Sequence, residues 1–101
     1  MSAEYRLHRR VIDDIKEAES YYLQQGGSHL ADKLFDEIVD SFETAAEHPS
    51  RAHFNIISHC RRVNLNTFPY HFLYDSFPGY IHIFVFRHNR RQPTFGLRRK
   101  R

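Results

Sequence analysis

The first half of the chain repeats apolar residues at helical spacing in two successive segments. Between positions 10 and 25 the apolar stripe is Val11, Ile15, Ala18 and Tyr22. From Ser28 to Glu47 it is Ala31, Leu34, Phe35, Ile38, Phe42 and Ala45. A period of about 3.6 residues is typical of helices that bury one face. Gly26-Gly27 separates the segments, and glycine readily adopts the left-handed backbone that ends a helix. The two helices are therefore predicted to pack antiparallel as a hairpin.

Patterns typical of β-strands lie outside this helical region. A short strand is predicted over Glu4–His8, where polar and apolar residues alternate, and aromatic and β-branched runs predict three more strands after Pro49. These three are Arg61–Leu65, Tyr70–Asp75 and Tyr80–His88. Residues 51–59 show no firm period and stay unassigned. The predicted fold is α+β in the order β-α-α-β-β-β, an antiparallel sheet packed against an N-terminal helical hairpin.

Length and composition narrow the class of protein. The 101 residues suit one domain, and we predict a single domain over residues 1–101 with a mobile basic tail at 96–101. Hydrophobic residues make up 41% of the chain, which argues against disorder, and no apolar run approaches the roughly 20 residues of a membrane helix. No export signal is recognised, and the single cysteine, Cys60, is predicted to be packed, so a cytoplasmic protein is expected.

Charge is divided unevenly between the two halves of the chain. Residues 1–50 carry 5 basic and 11 acidic side chains, a net −6, whereas residues 51–101 carry 10 basic side chains and one acid, Asp75, a net +9. The second half is therefore predicted to form an electropositive surface. Such a surface favours anionic partners, either nucleic acid or an acidic protein segment.

Several short motifs follow one another along nearly the whole chain. They are Asp13-Asp14-Ile15, Tyr21-Tyr22, Leu30-Ala31, Arg61-Arg62-Val63, Phe68-Pro69-Tyr70 and His88-Asn89-Arg90-Arg91-Gln92-Pro93. In this order they resemble the RelE/ParE superfamily of bacterial toxins from type II toxin-antitoxin systems. The last motif, in which a strand leads into His-x-Arg-Arg-x-Pro, is similar to the ParE-like branch. The resemblance implies the fold that the patterning also predicts.

For the ParE-like branch, the resemblance implies a toxin that inhibits DNA gyrase by binding, without chemistry or a cofactor of its own. It also implies a cognate acidic antitoxin that neutralises the toxin within a hetero-oligomer. The residues expected at the antitoxin- or target-binding surface are Arg61, Arg62, Arg87, His88, Arg90 and Arg91. No membrane partner is expected, and no metal site, because the histidines lack paired ligand spacing.

Two alternatives stay open. A RelE-like member would cleave messenger RNA on the ribosome, with Arg61 or Arg62 stabilising the phosphate and His88 carrying a proton. Between Pro49 and Cys60 the chain lacks the Glu or Lys that nuclease members often carry, which favours the binding role. The other alternative is an inactive or orphan domain of the same fold.

Some of these residues also have a purely structural interpretation. Four aromatic residues recur at every second position and are predicted to pack in the core rather than to stack on bases. They are Phe68, Tyr70, Phe72 and Tyr74. Arg61 and Arg62 alternate along a strand, so only one of them shares the side of Val63. One of the two is expected to pair with a helix acid such as Asp36 or Glu37.

Overall fold

The structure, a computed structural model, describes residues 4–99. One long helical element and five strands follow one another along the chain. They are β1 (Glu4–Leu7), α1 (Arg9–Glu47), β2 (His53–Asn55), β3 (Cys60–Asn64), β4 (Tyr70–Phe77) and β5 (Tyr80–His88). The α+β class predicted from the sequence is confirmed. The segment that had no firm period contains the three-residue strand β2.

Helix α1 is divided at Gly27, whose φ of 77° and ψ of −174° are not helical. We call residues 9–26 the first arm and residues 28–47 the second arm. A straight helix of 39 residues would be about 58 Å long, whereas the longest dimension of the chain is 39 Å. The arms therefore fold back on each other, as predicted from Gly26-Gly27. A side chain at position 27 would have to adopt a backbone conformation that L-residues rarely occupy.

The N-terminus of α1 is capped by the residue that follows β1. His8 has extended backbone angles, and its Nδ1 accepts the N–H of Arg10 at 3.0 Å. Burial lowers the pKa of His8, with nearby cations acting in the same direction, which favours the neutral ring that this acceptor role requires. The imidazole thus satisfies one of the amides that the first helical turn leaves unpaired.

The five strands form one mixed sheet in the order β1-β5-β4-β3-β2. Strands β3, β4 and β5 form the predicted antiparallel meander. The prediction of a wholly antiparallel sheet is wrong at one place, because β1 lies parallel to β5, with Tyr5 opposite Ile81. Parallel neighbours need a long crossover connection, and the helical arms together with the meander separate these two strands in the chain.

Both helical arms pack on one face of the sheet, which we call the helix face. Phe42 of the second arm meets Phe72 of β4 edge to face, with ring centroids 4.7 Å apart. The predicted aromatic core is confirmed: Phe68, Phe72 and Tyr74 are buried, and Tyr70 is half-buried beside them. Phe35 was predicted in the core but is 45% exposed, because Leu34 and Ile38 make the inward contacts at that level and Phe35 lies on the flank.

A smaller core lies on the other face of the sheet, which we call the outer face. Its buried members are Cys60, Leu73, Phe84 and Val85, and Phe95 and Leu97 pack against them. Cys60 is thus packed, as predicted. The residues after β5, which we call the C-terminal segment (residues 89–99), therefore cover part of the sheet. Gly96 permits this close approach, because a Cβ there would lie 2.5 Å from Val85 Cγ2.

The predicted basic tail falls partly outside the structure. Residues 96–99 are described, and Leu97 packs against the outer-face core. Lys100 and Arg101 lie outside the described residues. The mobility of the tail stays a prediction. Within residues 4–99, no helix combines the length and the apolar character that crossing a membrane requires.

Candidate functional site

Arg61 and Arg62 on β3 point to opposite faces of the sheet, as strand alternation predicts. Arg61 lies on the helix face and donates to the carbonyl oxygens of Ser50, at 3.3 Å, and Ala52, at 2.6 Å. Arg62 is exposed, and its Nε donates to Asn64 Oδ1 at 2.9 Å. The acceptors are carbonyl and amide oxygens rather than the helix carboxylate expected from the sequence.

The helix acid Glu37 has a different role from the one predicted. Its carboxylate accepts the backbone N–H of Asn66 at 2.9 Å and that of Thr67 at 3.1 Å. These amides belong to the loop between β3 and β4. Glu37 therefore ties this loop to the second arm instead of neutralising Arg61 or Arg62.

Arg87 on β5 is buried and serves as an internal clamp. Its Nε donates to His71 Nε2 at 2.8 Å. Its Nη1 donates to the carbonyl oxygens of Gln92 at 3.3 Å, Pro93 at 2.9 Å and Phe95 at 2.8 Å. The guanidinium therefore holds the C-terminal segment against the sheet. Burial lowers the pKa of Arg87, and Arg62 acts in the same direction.

The contact with Arg87 determines the tautomer of His71. Because Arg87 donates to Nε2, that nitrogen has no proton, and Nδ1 therefore donates to Asn89 Oδ1 at 2.8 Å. Burial lowers the pKa of His71 to about 4, although the hydrogen bond to Asn89 acts in the opposite direction. The ring is thus neutral near pH 7. The result is a polar chain that runs from the exposed Asn89 through the buried His71 to the buried Arg87.

His88, Arg90 and Arg91 lie where β5 leads into the C-terminal segment. His88 packs its ring against Tyr70, with centroids 5.1 Å apart, and its Nδ1 accepts the N–H of Arg90 at 3.0 Å. Arg90 and Arg91 are both exposed. The guanidinium of Arg91 lies 4.2 Å from the centre of the Phe95 ring, a cation–π contact that orients this side chain. We call these three residues the basic corner.

The sequence did not reveal that a carboxylate lies near the basic corner. Glu17 of the first arm lines a small cavity of about 80 Å³ together with His88 and Arg91. It is separated from His88 by most of the chain and belongs to a helix whose pattern indicates only a solvated face. Which residue of the first arm faces the end of β5 depends on how that arm packs on the sheet. No local sequence pattern therefore identifies Glu17.

The residues of the nuclease alternative do not converge. Arg62 and Arg87 lie on the outer face, whereas Arg61 and His88 lie on the helix face. Arg61 is in register with Tyr74 of β4, and His88 with Tyr70. Arg61 and His88 are therefore separated by four residues along the strand direction and by two strand spacings across the sheet. Their backbones lie about 16 Å apart. With the Arg61 guanidinium bound to the carbonyl oxygens of Ser50 and Ala52, the structure does not bring Arg61 and His88 together around one site.

In the structure, arginines of the basic second half lie beside acids of the helical arms. Glu37 and Asp40 line one groove with Arg51 and Arg62, and Asp14 and Glu17 line the small cavity with Arg91. From His48 to Tyr74 the chain contains no Asp or Glu. Arg51 and Arg62, both exposed, lie on this stretch, and Arg90 and Arg91 follow on the C-terminal segment. Across residues 4–99, no group of three His, Cys, Asp or Glu side chains is placed as metal ligands are.

Comparisons with known proteins agree with this architecture. A family model described as "ParE toxin of type II toxin-antitoxin system, parDE" matches residues 5–93. Two relatives named Toxin ParE2, from Mycobacterium tuberculosis strains CDC 1551 / Oshkosh and ATCC 25618 / H37Rv, are each 29% identical over 94 residues, which span 93% of this chain and 89% of theirs.

A solved structure described as "Chromosomal ParDE TA system from P. aeruginosa" has the same fold. Its TM-score is 0.74 at 15% sequence identity, over 85% of this chain and 95% of that chain. At this identity the likeness concerns the fold alone, and it confirms the RelE/ParE-like architecture. Since the family model covers nearly the whole sheet, both helical arms and the basic corner, this chain belongs to the ParE family of toxins from type II toxin-antitoxin systems.

Proposed function

We propose that this protein arrests bacterial growth by binding DNA gyrase and that a cognate acidic antitoxin neutralises it within a hetero-oligomer. The observation that carries the proposal is the match to the ParE family over residues 5–93. The acid-free stretch from His48 to Tyr74 supports an acidic partner, because opposite charge accelerates association and selects the partner.

The basic corner is the surface that we propose for the antitoxin or the target. Arg90 and Arg91 are exposed, and Arg91 is held in place by Phe95. Arg87 acts indirectly in this proposal, because its side chain is buried and holds the carbonyl groups of the C-terminal segment. An oriented guanidinium loses less conformational entropy when it binds a carboxylate than a freely rotating one does.

A binding role is also supported by the positions of the candidate catalytic residues. Arg61 is engaged by the carbonyl groups of Ser50 and Ala52 and is distant from His88. Phosphate cleavage requires a base, an acid and a cation around one reacting group. The separation of these residues on different faces and rows of the sheet favours inhibition by contact over RNA cleavage.

The test compares three activities of the same purified chain. With gyrase, plasmid DNA and ATP, we expect inhibited supercoiling and trapped cleaved DNA, both relieved when the acidic protein encoded beside the gene is added. In a translating extract, primer extension on a reporter message should show no new cut sites. Cleaved message with unaffected gyrase would establish the RelE-like alternative. Inactivity in both assays would indicate an inactive or orphan domain.

A further inference from the structure

A row of aromatic rings leads from the first arm to the basic corner. The ring of Tyr21 meets that of Tyr22 edge to face, with centroids 5.1 Å apart, and Tyr22 lies 6.2 Å from Tyr70. Tyr70 in turn lies 5.1 Å from His88 of the basic corner. Tyr21 is 54% exposed, the highest value among the large apolar side chains of α1. We call Tyr21, Tyr22 and Tyr70 the tyrosine row. It continues the basic corner onto the first arm.

The hydroxyl groups of the tyrosine row are unused within the chain. The core residue Tyr74 donates its hydroxyl to the carbonyl of Pro49 at 2.8 Å. In contrast, no hydroxyl of the tyrosine row has a hydrogen-bond partner among residues 4–99. Burial raises the pKa of Tyr22 and of Tyr70, so both hydroxyls stay protonated donors near pH 7. A partner that covers these rings must supply acceptors, because the hydroxyls would otherwise lose their hydrogen bonds to water.

Charge restricts what can lie over the tyrosine row. Glu17 lines the small cavity together with Tyr70 and His88, and its carboxylate contributes to the raised pKa of Tyr70. The other acid of this cavity, Asp14, is ion-paired with Arg99. A carboxylate or phosphate placed directly over Tyr70 would therefore be repelled by Glu17, whereas a neutral group would not. The tyrosine row thus favours apolar side chains and carbonyl oxygens.

Arg90 and Arg91 supply the complementary half of this surface. Both are exposed, and the backbone N–H of Arg90 donates to His88 Nδ1 at 3.0 Å, next to the end of the row. A segment that crosses both regions needs acids at the arginines and neutral residues at the tyrosines. A nucleic-acid strand fits this pattern less well, because a phosphate recurs at every nucleotide and one would lie near Glu17. A polypeptide can place its acids only where the arginines are.

We propose that the acidic antitoxin binds the tyrosine row and the basic corner with one continuous segment. Its carboxylates contact Arg90 and Arg91, an apolar side chain packs on Tyr21, and its backbone carbonyls accept the hydroxyls of Tyr22 and Tyr70. Tyrosine and arginine are the residues that most often dominate the binding energy of protein interfaces. The inference rests on the proposed function and adds the apolar half of the contact, which charge alone does not predict.

The test is titration calorimetry of the full chain with the acidic protein encoded beside the gene. Tyr21→Ala should weaken binding about tenfold, because it removes the exposed ring. Tyr22→Phe and Tyr70→Phe should each weaken binding about fivefold, because each loses one hydrogen bond to the partner and keeps its ring. All three variants should keep the salt dependence of the unmodified chain, whereas Arg90→Glu with Arg91→Glu should reduce it.

Two matched variants serve as controls. Leu23→Ala removes an apolar side chain that is 52% exposed two residues further along the first arm. Tyr80→Phe removes a hydroxyl at the opposite end of the β4–β5 pair, where Tyr80 lies opposite Phe77. Both controls should bind as the unmodified chain does. Thermal melts of the phenylalanine variants at positions 22 and 70 should not fall, since these hydroxyls have no partner in the free protein.

Each outcome separates this inference from the proposed function. Equal affinities of the unmodified chain and all three tyrosine variants would overturn the inference and leave the antitoxin as partner. Weaker gyrase inhibition with unchanged antitoxin affinity would assign the row to the target instead. Weaker binding of a labelled DNA oligonucleotide in Tyr21→Ala, again with unchanged antitoxin affinity, would assign it to nucleic acid. If the unmodified chain does not bind the acidic protein, the proposed neutralisation itself is wrong.

Discussion

Asp14 on the first arm and Arg99 in the C-terminal segment form a two-point ion pair across the edge of β5. The Nη1–Oδ2 distance is 2.7 Å and the Nη2–Oδ1 distance is 3.0 Å. Arg99 also donates to the carbonyl of Phe84 at 2.9 Å, and Asp14 accepts the N–H of Phe86 at 3.3 Å. Strand β1 ends opposite Ile83. The ion pair thus satisfies backbone groups of β5 beyond the point where β1 stops.

Removing Arg99 should therefore destabilise the fold. The Asp14 side chain is only 10% exposed in the intact protein. In Arg99→Ala this carboxylate would lack its cationic partner. We expect a loss of about 2–3 kcal/mol in the free energy of unfolding, measured by urea denaturation at pH 7. Arg98→Ala is the matched control, since Arg98 is exposed and should change stability by less than about 0.5 kcal/mol. Identical midpoints for the two variants would contradict this role of the pair.

Removing the Arg87 clamp should lower the stability of the whole fold and also loosen the C-terminal segment locally. Arg87→Met should leave the carbonyl groups of the C-terminal segment and His71 Nε2 without their donor, at a cost of about 2–4 kcal/mol in unfolding free energy. Hydrogen exchange should accelerate at the amides of residues 95–97. Arg87→Lys should recover only part of the loss, because an ammonium lacks the planar fork. Unchanged exchange in Arg87→Met would show that the segment is held by its apolar contacts alone.

Stability should depend on pH through His71. Its pKa is lowered to about 4 in the folded protein, against about 6.5 in the unfolded chain, so the unfolded chain binds more protons between these values. The stability contributed by the neutral ring is complete above about pH 6.5 and is lost as the pH falls towards 4, by about 3 kcal/mol in total.

The measurement compares urea midpoints between pH 7.5 and 4.5 in the unmodified chain and in His71→Gln. The glutamine amide offers an acceptor to Arg87 and a donor to Asn89 but does not titrate. The variant should therefore lose less stability on acidification than the unmodified chain. Equal losses would mean that other groups, such as carboxylates, account for the whole pH dependence.

The aromatic pair between the second arm and β4 is a further test of the core. Phe42→Ala or Phe72→Ala should each cost about 3–5 kcal/mol in unfolding free energy, because both rings are buried and contact each other. Phe35→Ala, on the same arm but 45% exposed, is the control and should cost much less. Thermal melts of the three variants rank these costs. A similar loss in all three would show that Phe35 is packed in solution.

The basic corner predicts an effect on binding without an effect on folding. Arg90→Glu with Arg91→Glu reverses two exposed charges, so affinity for the acidic antitoxin should fall by at least about tenfold while the melting temperature changes little. Titration calorimetry with the antitoxin measures the affinity. Arg10→Glu, an exposed reversal on the first arm, is the control. Unchanged affinity in the double variant would place the interface elsewhere.

Local sequence patterns were sufficient to predict most of the helices and strands. Helical spacing identified both arms, and Gly26-Gly27 identified the division between them, because backbone preference and apolar periodicity act over a few residues. Alternation along β4 identified Phe72 and Tyr74 as core residues for the same reason. Phe35 shows the limit of such patterns, since a position at the margin of an apolar stripe is buried only where a neighbouring element covers it.

The sequence alone determined the class of fold, the family resemblance, the aromatic core and the concentration of positive charge in the second half. Only the tertiary structure decided what each arginine does. Arg87 is a buried clamp, Arg99 bonds to the edge of β5 beyond the end of β1, and Arg90 is an exposed charge. All three belong to one basic region of the sequence. The physical reason is that a guanidinium can donate to carbonyl oxygens, to carboxylates or to water. Its role is set by which groups the folded chain brings within hydrogen-bond distance, and these include Asp14, which precedes Arg99 by 85 residues.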